Sequence, residues 1–171
     1  NKKRSVDISD LLWVEDPMKL AIMKNIDLVI ELIGGDDGLA YELAKEVLKN
    51  GKHFITANKA MIAKHGFELS NISEKSGSTL SFEAAVAGGI PILSTIKDGI
   101  SANNISSIYG ILNGTCNYIL TQMDKEGNSF KDSLETAKKL GYAENDPTDD
   151  IAGFDTASKL SILSSLSFGC R

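Results

Sequence analysis

Hydrophobic positions in the first half of the chain alternate between short apolar runs and helical spacing. An apolar run over residues 27–33 is followed by a Gly-Gly-Asp-Asp-Gly turn and then by apolar residues at helical spacing up to Leu48. A second run at residues 53–56 precedes a polar loop and a helical pattern over residues 59–75, and a third run covers residues 78–83. Strands that alternate with helices predict an α/β fold whose parallel strands are joined by right-handed crossovers.

The pattern changes after the third apolar run. Small residues fill positions 84–91, a helix is predicted from there to about residue 100, and a β-rich run follows at residues 105–111. We place a domain boundary near residue 87, within the small-residue segment. Three further helices are predicted, at residues 115–124, 130–140 and 153–168.

Composition and charge limit which classes of partner and which cellular location fit this protein. The 18 Lys and Arg against 23 Asp and Glu give a formal net charge of −5, which argues against nucleic acid as a partner. No apolar run reaches the roughly 18–20 residues needed to span a bilayer. The two cysteines lie far apart, outside any metal-binding or disulfide pattern, and residues 1–6 are basic without a following apolar core. We expect a protein of the reducing cytoplasm, without a signal peptide, and we expect its natural amino terminus to precede Asn1.

Ligands of an open parallel sheet bind beyond the carboxyl ends of its strands. The loops that contain Gly34 and Gly35 and residues 57–59 follow predicted strands, so both are expected beside one crevice. A glycine pair lets a ligand approach the backbone closely, although a tight turn that caps the next helix explains the pair equally well. The chain has no GxGxxG loop, and we expect the first strand–loop–helix unit to precede it.

Residues 141–159 hold five acids and one lysine. Asp155 and Lys159 are four positions apart on a predicted helix and therefore lie on one face. Such a pair is ordinarily a surface ion pair, but the apolar residues that follow indicate a largely buried helix, in which a lysine needs a partner. Glu144 and Asp150 lie on the loop that leads into this helix, so the segment predicts a polar pocket suited to a zwitterionic small molecule.

These segments resemble the homoserine dehydrogenases. The resemblance is strongest over residues 137–159, which match a long and specific signature of that family. Four further segments match in order, at residues 31–35, 56–60, 82–91 and 109–118.

The resemblance implies a fold in two parts. Residues 1–87 would be the carboxyl-terminal part of a Rossmann-type parallel sheet, and residues 88–171 an α+β domain for substrate binding and catalysis, incomplete at its carboxyl end. It also implies a homodimer in the complete enzyme. The preference between NAD and NADP is not readable, because the residue that contacts the ribose would precede the chain.

The resemblance also implies roles for individual residues. Lys159 matches the catalytic lysine, which exchanges a proton with the substrate oxygen, and Asp155 matches the acid beside it. Glu144 and Asp150 match acids that bind the substrate, while Lys59 matches a lysine near both nicotinamide and substrate. The implied reaction is the reversible interconversion of L-homoserine and L-aspartate 4-semialdehyde with NAD or NADP, in threonine and methionine biosynthesis.

The same resemblance implies cofactor and cation contacts. Gly34, Gly35 and Lys59 would meet the nicotinamide end of the cofactor, with Gly141 near the same end. Glu83 would help to hold a monovalent cation such as sodium, and the backbone carbonyls of three further residues would complete that site: Val86, Gly88 and Ile90. From the sequence alone, a carboxylate at this position caps a helix at least as often as it binds a metal.

Two other functions fit parts of the sequence. A semialdehyde dehydrogenase that uses Cys116 as its nucleophile would need a histidine base close to that thiol. A non-catalytic protein, either an inactive fragment or the partner of another chain, is the alternative from a different class.

Overall fold

The computed structural model describes residues 7–170. The basic segment 1–6, on which the expectation of no signal peptide depends, lies outside the described residues. Within them, three parallel strands form one sheet in the order β1 (Leu28–Glu31), β2 (His53–Thr56) and β3 (Leu80–Ser81). Leu28 pairs with His53, and Phe54 pairs with Leu80. The predicted parallel α/β arrangement is confirmed.

Two helices connect these strands. Helix α1 (Leu39–Lys49) follows β1, and helix α2 (Lys59–Ser76) follows β2. The Asn58 side chain caps the start of helix α2, and Gly77 caps its end with a φ of 69°, in the left-handed region that glycine tolerates. Both helices agree with their predictions to within a few residues because their apolar residues recur at helical spacing.

The third strand is shorter than predicted. Only Leu80 and Ser81 pair with β2, and the chain then turns into a 3-10 helix over Glu83–Ala85. The predicted helix up to residue 100 consists of a short helix α3 (Ile92–Ser94) that continues as a π-helical turn over Thr95–Gly99.

The second half is helical within the described residues. Its helices are α4 (Gly114–Glu126), α5 (Phe130–Lys139), α6 (Thr148–Ile151) and α7 (Phe154–Phe168). Helix α6 was not predicted. The prediction of a strand over residues 105–111 is wrong, because no strand of the described residues pairs with that run, and Tyr109 is 94% exposed. A strand needs a neighbour to take up its backbone hydrogen bonds.

The main hydrophobic core contains residues from both halves of the chain. Phe54 of β2 and Met61 of α2 are fully buried in it, together with Ile162 and Leu163 of α7. Packing of α7 against α2 brings the first turn of α7 beside the loop after β2. The domain boundary near residue 87 stays a prediction. No helix within residues 7–170 has the length and apolarity that crossing a membrane requires.

Candidate active site

A buried carboxylate joins the carboxyl ends of β1 and β2. Glu31, the last residue of β1, is 1% exposed. Its Oε1 accepts hydrogen bonds from the backbone N–H groups of Ile33 at 2.5 Å and Gly34 at 2.9 Å. Its Oε2 accepts a 2.5 Å hydrogen bond from the Thr56 hydroxyl at the end of β2. Glu31 therefore holds both strand ends and the start of the glycine loop in one arrangement.

Asn58 joins the two loops that follow these strands. Its Nδ2 donates a 2.6 Å hydrogen bond to the carbonyl of Gly35, and its Oδ1 accepts one from the backbone of Met61 at 3.1 Å. Gly34 and Gly35 have φ values of 86° and 87°, which glycine adopts without strain. A Cβ added at Gly34 would meet no atom within 4 Å, so the loop presents bare backbone to open space.

Lys59 begins helix α2 and reaches across to the second half of the chain. Its Nζ lies 3.1 Å from Oδ1 of Asp155 on α7. The side chain is 41% exposed, so the ammonium group stays accessible while it makes this salt bridge.

Asp155 lies at the centre of the polar groups that the sequence predicts. It is 7% exposed, and its Oδ2 accepts hydrogen bonds from Lys159 at 2.7 Å and from the amide of Asn113 at 2.9 Å. Burial by itself would raise the pKa of Asp155, but hydrogen bonds from Lys159, Asn113 and Lys59 outweigh it and hold the pKa below its usual range. Asp155 is therefore ionised at neutral pH, with both oxygens engaged.

Lys159 is held by two acceptors. Besides the bond to Asp155, its Nζ donates a 2.8 Å hydrogen bond to the carbonyl of Leu112. An ammonium group has three N–H donors. Two of them are fixed by these acceptors, which leaves the third for the cavity that Lys159 lines.

Two cavities meet at Asp155. One, of about 680 Å³, is lined by the four predicted acids and bases Glu144, Asp150, Asp155 and Lys159. The other, of about 740 Å³, lies beyond the carboxyl ends of β1 and β2 and is lined by Gly34, Gly35, Lys59 and Asp155. The structure thus places the predicted catalytic and substrate-binding residues around one polar centre that opens on both sides.

Gly141 lies apart from the other predicted cofactor contacts. It lines the 680 Å³ cavity, next to Tyr142, whereas the glycine pair of the β1 loop lines the other cavity. A contact between Gly141 and the nicotinamide remains a prediction.

Glu83 serves as a helix cap. Its two carboxylate oxygens accept hydrogen bonds from the backbone N–H groups of Leu93 and Ser94, each at 2.9 Å. The following loop contains Ala87, with a φ of 51°, and Gly89, with a φ of 88°. Among residues 7–170, no group of three or more His, Cys, Asp or Glu side chains could hold a metal ion. The cation site remains a prediction.

Cys116 lacks the surroundings of a nucleophile. Burial raises the pKa of its thiol, and the charges of Asp150 and Asp155 raise it further. Its Sγ donates to the carbonyl of Asp150 at 3.2 Å. The two histidines have partners elsewhere, since the His53 ring accepts from the backbone of Thr79 and His65 pairs with Asp37.

Three polar residues of the site were not singled out from the sequence: Glu31, Asn58 and Asn113. Glu31 is the only acid inside an otherwise apolar run of residues 28–33, which is itself a signal of a buried carboxylate. Each asparagine directly precedes a helix, as N-cap residues do. The position of each asparagine before a helix predicts that its side-chain oxygen caps the helix. It does not predict which acceptors the side-chain nitrogen contacts.

Parallel strands that end at a bare glycine loop beside a polar cavity are the arrangement of a nucleotide-binding α/β protein. In agreement with this, residues 2–83 match the family model described as the NAD binding domain of homoserine dehydrogenase, and residues 91–171 match the model described as homoserine dehydrogenase. The chain belongs to the homoserine dehydrogenase family, and the recognition made from its motifs is confirmed.

Individual relatives agree with this assignment. The chain is 48% identical over 157 residues to the homoserine dehydrogenase of Neisseria gonorrhoeae, a match that covers 92% of the chain and 36% of that relative. A solved homoserine dehydrogenase of Thiobacillus denitrificans matches 92% of the chain and 36% of its own length, with 47% identity and a TM-score of 0.87.

A second solved relative was determined in complex with a cofactor. A hyperthermophilic archaeal homoserine dehydrogenase in complex with NADPH matches 96% of the chain and 51% of its own length, with 32% identity and a TM-score of 0.87. The chain spans little more than a third of the length of the curated relatives it matches, 36% for the Neisseria gonorrhoeae protein.

Proposed function

We propose that this chain provides the substrate-binding and proton-transfer centre of a homoserine dehydrogenase, which interconverts L-homoserine and L-aspartate 4-semialdehyde with NAD or NADP. The observation that carries the proposal is the position of Asp155. It bridges Lys59 and Lys159 at the point where the two cavities meet. Asp155 holds one lysine beside the glycine loop and the other beside the acidic pocket. This arrangement suits a reaction in which a cofactor and an amino acid must be bound next to each other.

Lys159 is the proposed proton donor and acceptor. In the ammonium form, its third N–H can donate to the oxygen of the aldehyde during reduction. In the neutral form, two N–H groups suffice for Leu112 and Asp155, so the lone pair can accept the proton of the hydroxyl during oxidation. The same two hydrogen bonds serve both protonation states, and the nitrogen does not have to move between them.

Glu144 and Asp150 are the proposed partners of the substrate's ammonium group. Both line the 680 Å³ cavity with Lys159, and Asp150 is held by a 2.7 Å hydrogen bond from Asn113. Two carboxylates opposite one lysine favour a ligand that carries a positive charge at one end and a reactive oxygen at the other. L-homoserine and L-aspartate 4-semialdehyde have that distribution.

Gly34, Gly35 and Lys59 would hold the nicotinamide end of the cofactor. The bare backbone of the glycine pair and the exposed ammonium of Lys59 face one cavity, which fits a polar ring and its ribose. When bound, the nicotinamide supplies or accepts the hydride. The contribution of these residues is to place it beside the substrate.

The monovalent cation, the homodimer and the cytoplasmic location belong to the same proposal. Both oxygens of Glu83 already accept backbone N–H groups, so a cation would depend mainly on the carbonyls of Val86, Gly88 and Ile90. No step of the proposed mechanism needs the ion. Size-exclusion chromatography with light scattering would test the dimer.

The proposal is tested with the full-length product of the gene. Purified protein should reduce NAD or NADP when homoserine is added, followed by the absorbance of the reduced nicotinamide, and should oxidise the reduced cofactor when aspartate semialdehyde is added. Serine, one carbon shorter, should react far more slowly because its hydroxyl would not reach Lys159 while its ammonium group contacts Glu144. A protein that turns over neither substrate would contradict the proposal and favour a non-catalytic role.

A further inference from the structure

Asn113 connects a helix cap to two carboxylates. It directly precedes α4, is 8% exposed, and its Oδ1 accepts a 2.8 Å hydrogen bond from the backbone N–H of Cys116. Because the oxygen faces this donor, the amide has only one orientation, and its nitrogen must point the other way.

The nitrogen of that amide is shared between two acids. One N–H donates to Oδ1 of Asp150 at 2.7 Å, and the other donates to Oδ2 of Asp155 at 2.9 Å. All hydrogen-bonding groups of the side chain except one lone pair of its oxygen are therefore used. Two carboxylates that accept from the same nitrogen lie close together, and hydrogen bonds from a donor between them offset their repulsion.

We propose that Asn113 is a positioning residue for the reaction, which holds the carboxylates of Asp150 and Asp155 side by side and fixes Asp155 for its contact with Lys159. The inference rests on the proposed function, and it adds a residue to which neither the sequence motifs nor the resemblance gave a role. A neutral amide can do this because it offers one donor to each acid without adding charge. A protonated acid at the same place could donate to only one of them.

The two acids have different roles in this arrangement. Asp155 uses its oxygens for Lys59, Lys159 and Asn113, whereas the amide takes one oxygen of Asp150. Asp150 also lines the cavity, so its other oxygen can meet the ammonium group of the substrate. The titratable and charged groups around the amide come from four helices and one loop: Lys59, Cys116, Asp150, Asp155 and Lys159, with Glu144 on the loop.

Two substitutions at Asn113 distinguish the loss of its amide N–H donors from the addition of a negative charge. Asn113→Ser keeps an oxygen that can cap α4 but removes both amide donors without adding charge. Asn113→Asp keeps the shape and the cap but places a third carboxylate against the other two. Ser129→Ala is the matched control, because Ser129 caps α5 through the backbone of Asp132 and lies outside the cavity.

The measurement is the pH dependence of kcat/KM for homoserine oxidation in the full-length gene product. Oxidation needs the neutral amine of Lys159, and an added negative charge beside it favours the ammonium form. For Asn113→Asp we therefore expect the rise in kcat/KM to move to higher pH by about one to three units. Asn113→Ser should lower kcat without that upward displacement, and Ser129→Ala should lower Tm while leaving kcat and the pH profile unchanged.

Two kinetic results would overturn the inference. One is a wild-type pH profile and kcat in Asn113→Asp, and the other is a loss in Asn113→Ser no larger than in Ser129→Ala. A second readout does not depend on turnover: NMR titration of the side-chain carboxyl carbons should show a higher pKa of Asp155 in Asn113→Ser than in the wild type. If the wild type oxidises no homoserine but this rise is seen, the proposed function fails, while the effect of Asn113 on the Asp155 carboxylate stands. An unchanged Asp155 titration would remove the positioning role itself.

Discussion

Two asparagines, Asn58 and Asn113, occupy equivalent positions in the two halves of the molecule. Each precedes a helix and caps it through Oδ1, with Asn58 accepting from Met61 at 3.1 Å and Asn113 accepting from Cys116 at 2.8 Å. Each then uses Nδ2 for the site. Asn58 donates to a neutral carbonyl, that of Gly35, whereas Asn113 donates to two carboxylates.

The difference shows how the site divides its tasks. The sheet side is held together by peptide groups, hydroxyls and the buried carboxylate of Glu31, all of which fix the shape of a loop. The helical side is held together by Asp155 and the lysines around it, which fix where charge and protons lie. Changes to the groups that hold the glycine loop should therefore weaken cofactor binding, and changes to the groups that surround Asp155 should slow the reaction or alter its pH dependence.

The largest effect is expected on the helical side, from Lys159→Met. Removal of the amine leaves the cavity shape nearly intact but removes the proposed proton donor, so kcat should fall by about 100- to 10,000-fold with a much smaller change in KM. Steady-state kinetics of the full-length gene product measures this. Lys49→Met, which removes only an exposed ion pair with Glu46 on α1, is the control and should be neutral. A fall in kcat below tenfold would exclude Lys159 as the proton donor.

A smaller effect is expected from Glu144→Gln, which tests the substrate end of the same cavity. The substitution keeps the size of the side chain and removes its charge, so the ammonium group of homoserine loses a charge-assisted hydrogen bond of about 1.5–3 kcal/mol. KM for homoserine should rise by about 10- to 150-fold while kcat changes little. Glu135→Gln, on the exposed face of α5 and away from both cavities, is the matched control. A fall in kcat with unchanged KM would mean that Glu144 acts in the chemical step instead.

A substitution on the sheet side, Asn58→Ser, should have a smaller kinetic effect than either of these. Asn58→Ser keeps an oxygen that can cap α2 but removes the hydrogen bond to Gly35, for a loss of about 1 kcal/mol because water can reach the rim of the cavity. KM for the cofactor should rise by about fivefold, and kcat should be nearly unchanged. The comparison is sharpest with Asn113→Ser, the same substitution at the other cap. If both variants altered kcat and KM alike, the proposed division between the two sides would be wrong.

Local signals explain how much of this structure could be predicted from its sequence. The strand at residues 53–56 is confirmed in full, and the pairing of Asp155 with Lys159 follows from their helical spacing. The contact of Asn113 with Asp155 joins residues 42 positions apart, so no local pattern contains it. The strand predicted over residues 105–111 failed for a related reason: its residues favour extended backbone, but a strand also needs a partner elsewhere in the chain.

The smallest effect is expected from Cys116→Ser, which tests the alternative nucleophile. Cys116 lies beside both acids of the helical side, and a thiol whose pKa is raised by burial and by these carboxylates is not a ready nucleophile. A serine hydroxyl can replace the thiol as donor to the carbonyl of Asp150. Turnover of homoserine should therefore stay within about threefold of the wild type, or roughly 0.7 kcal/mol. Cys170→Ser, at an exposed position after α7, controls for thiol oxidation during purification. A loss as large as that of Lys159→Met would instead support a thiolate that attacks the aldehyde, and the proton-transfer role of the helical side would have to be abandoned.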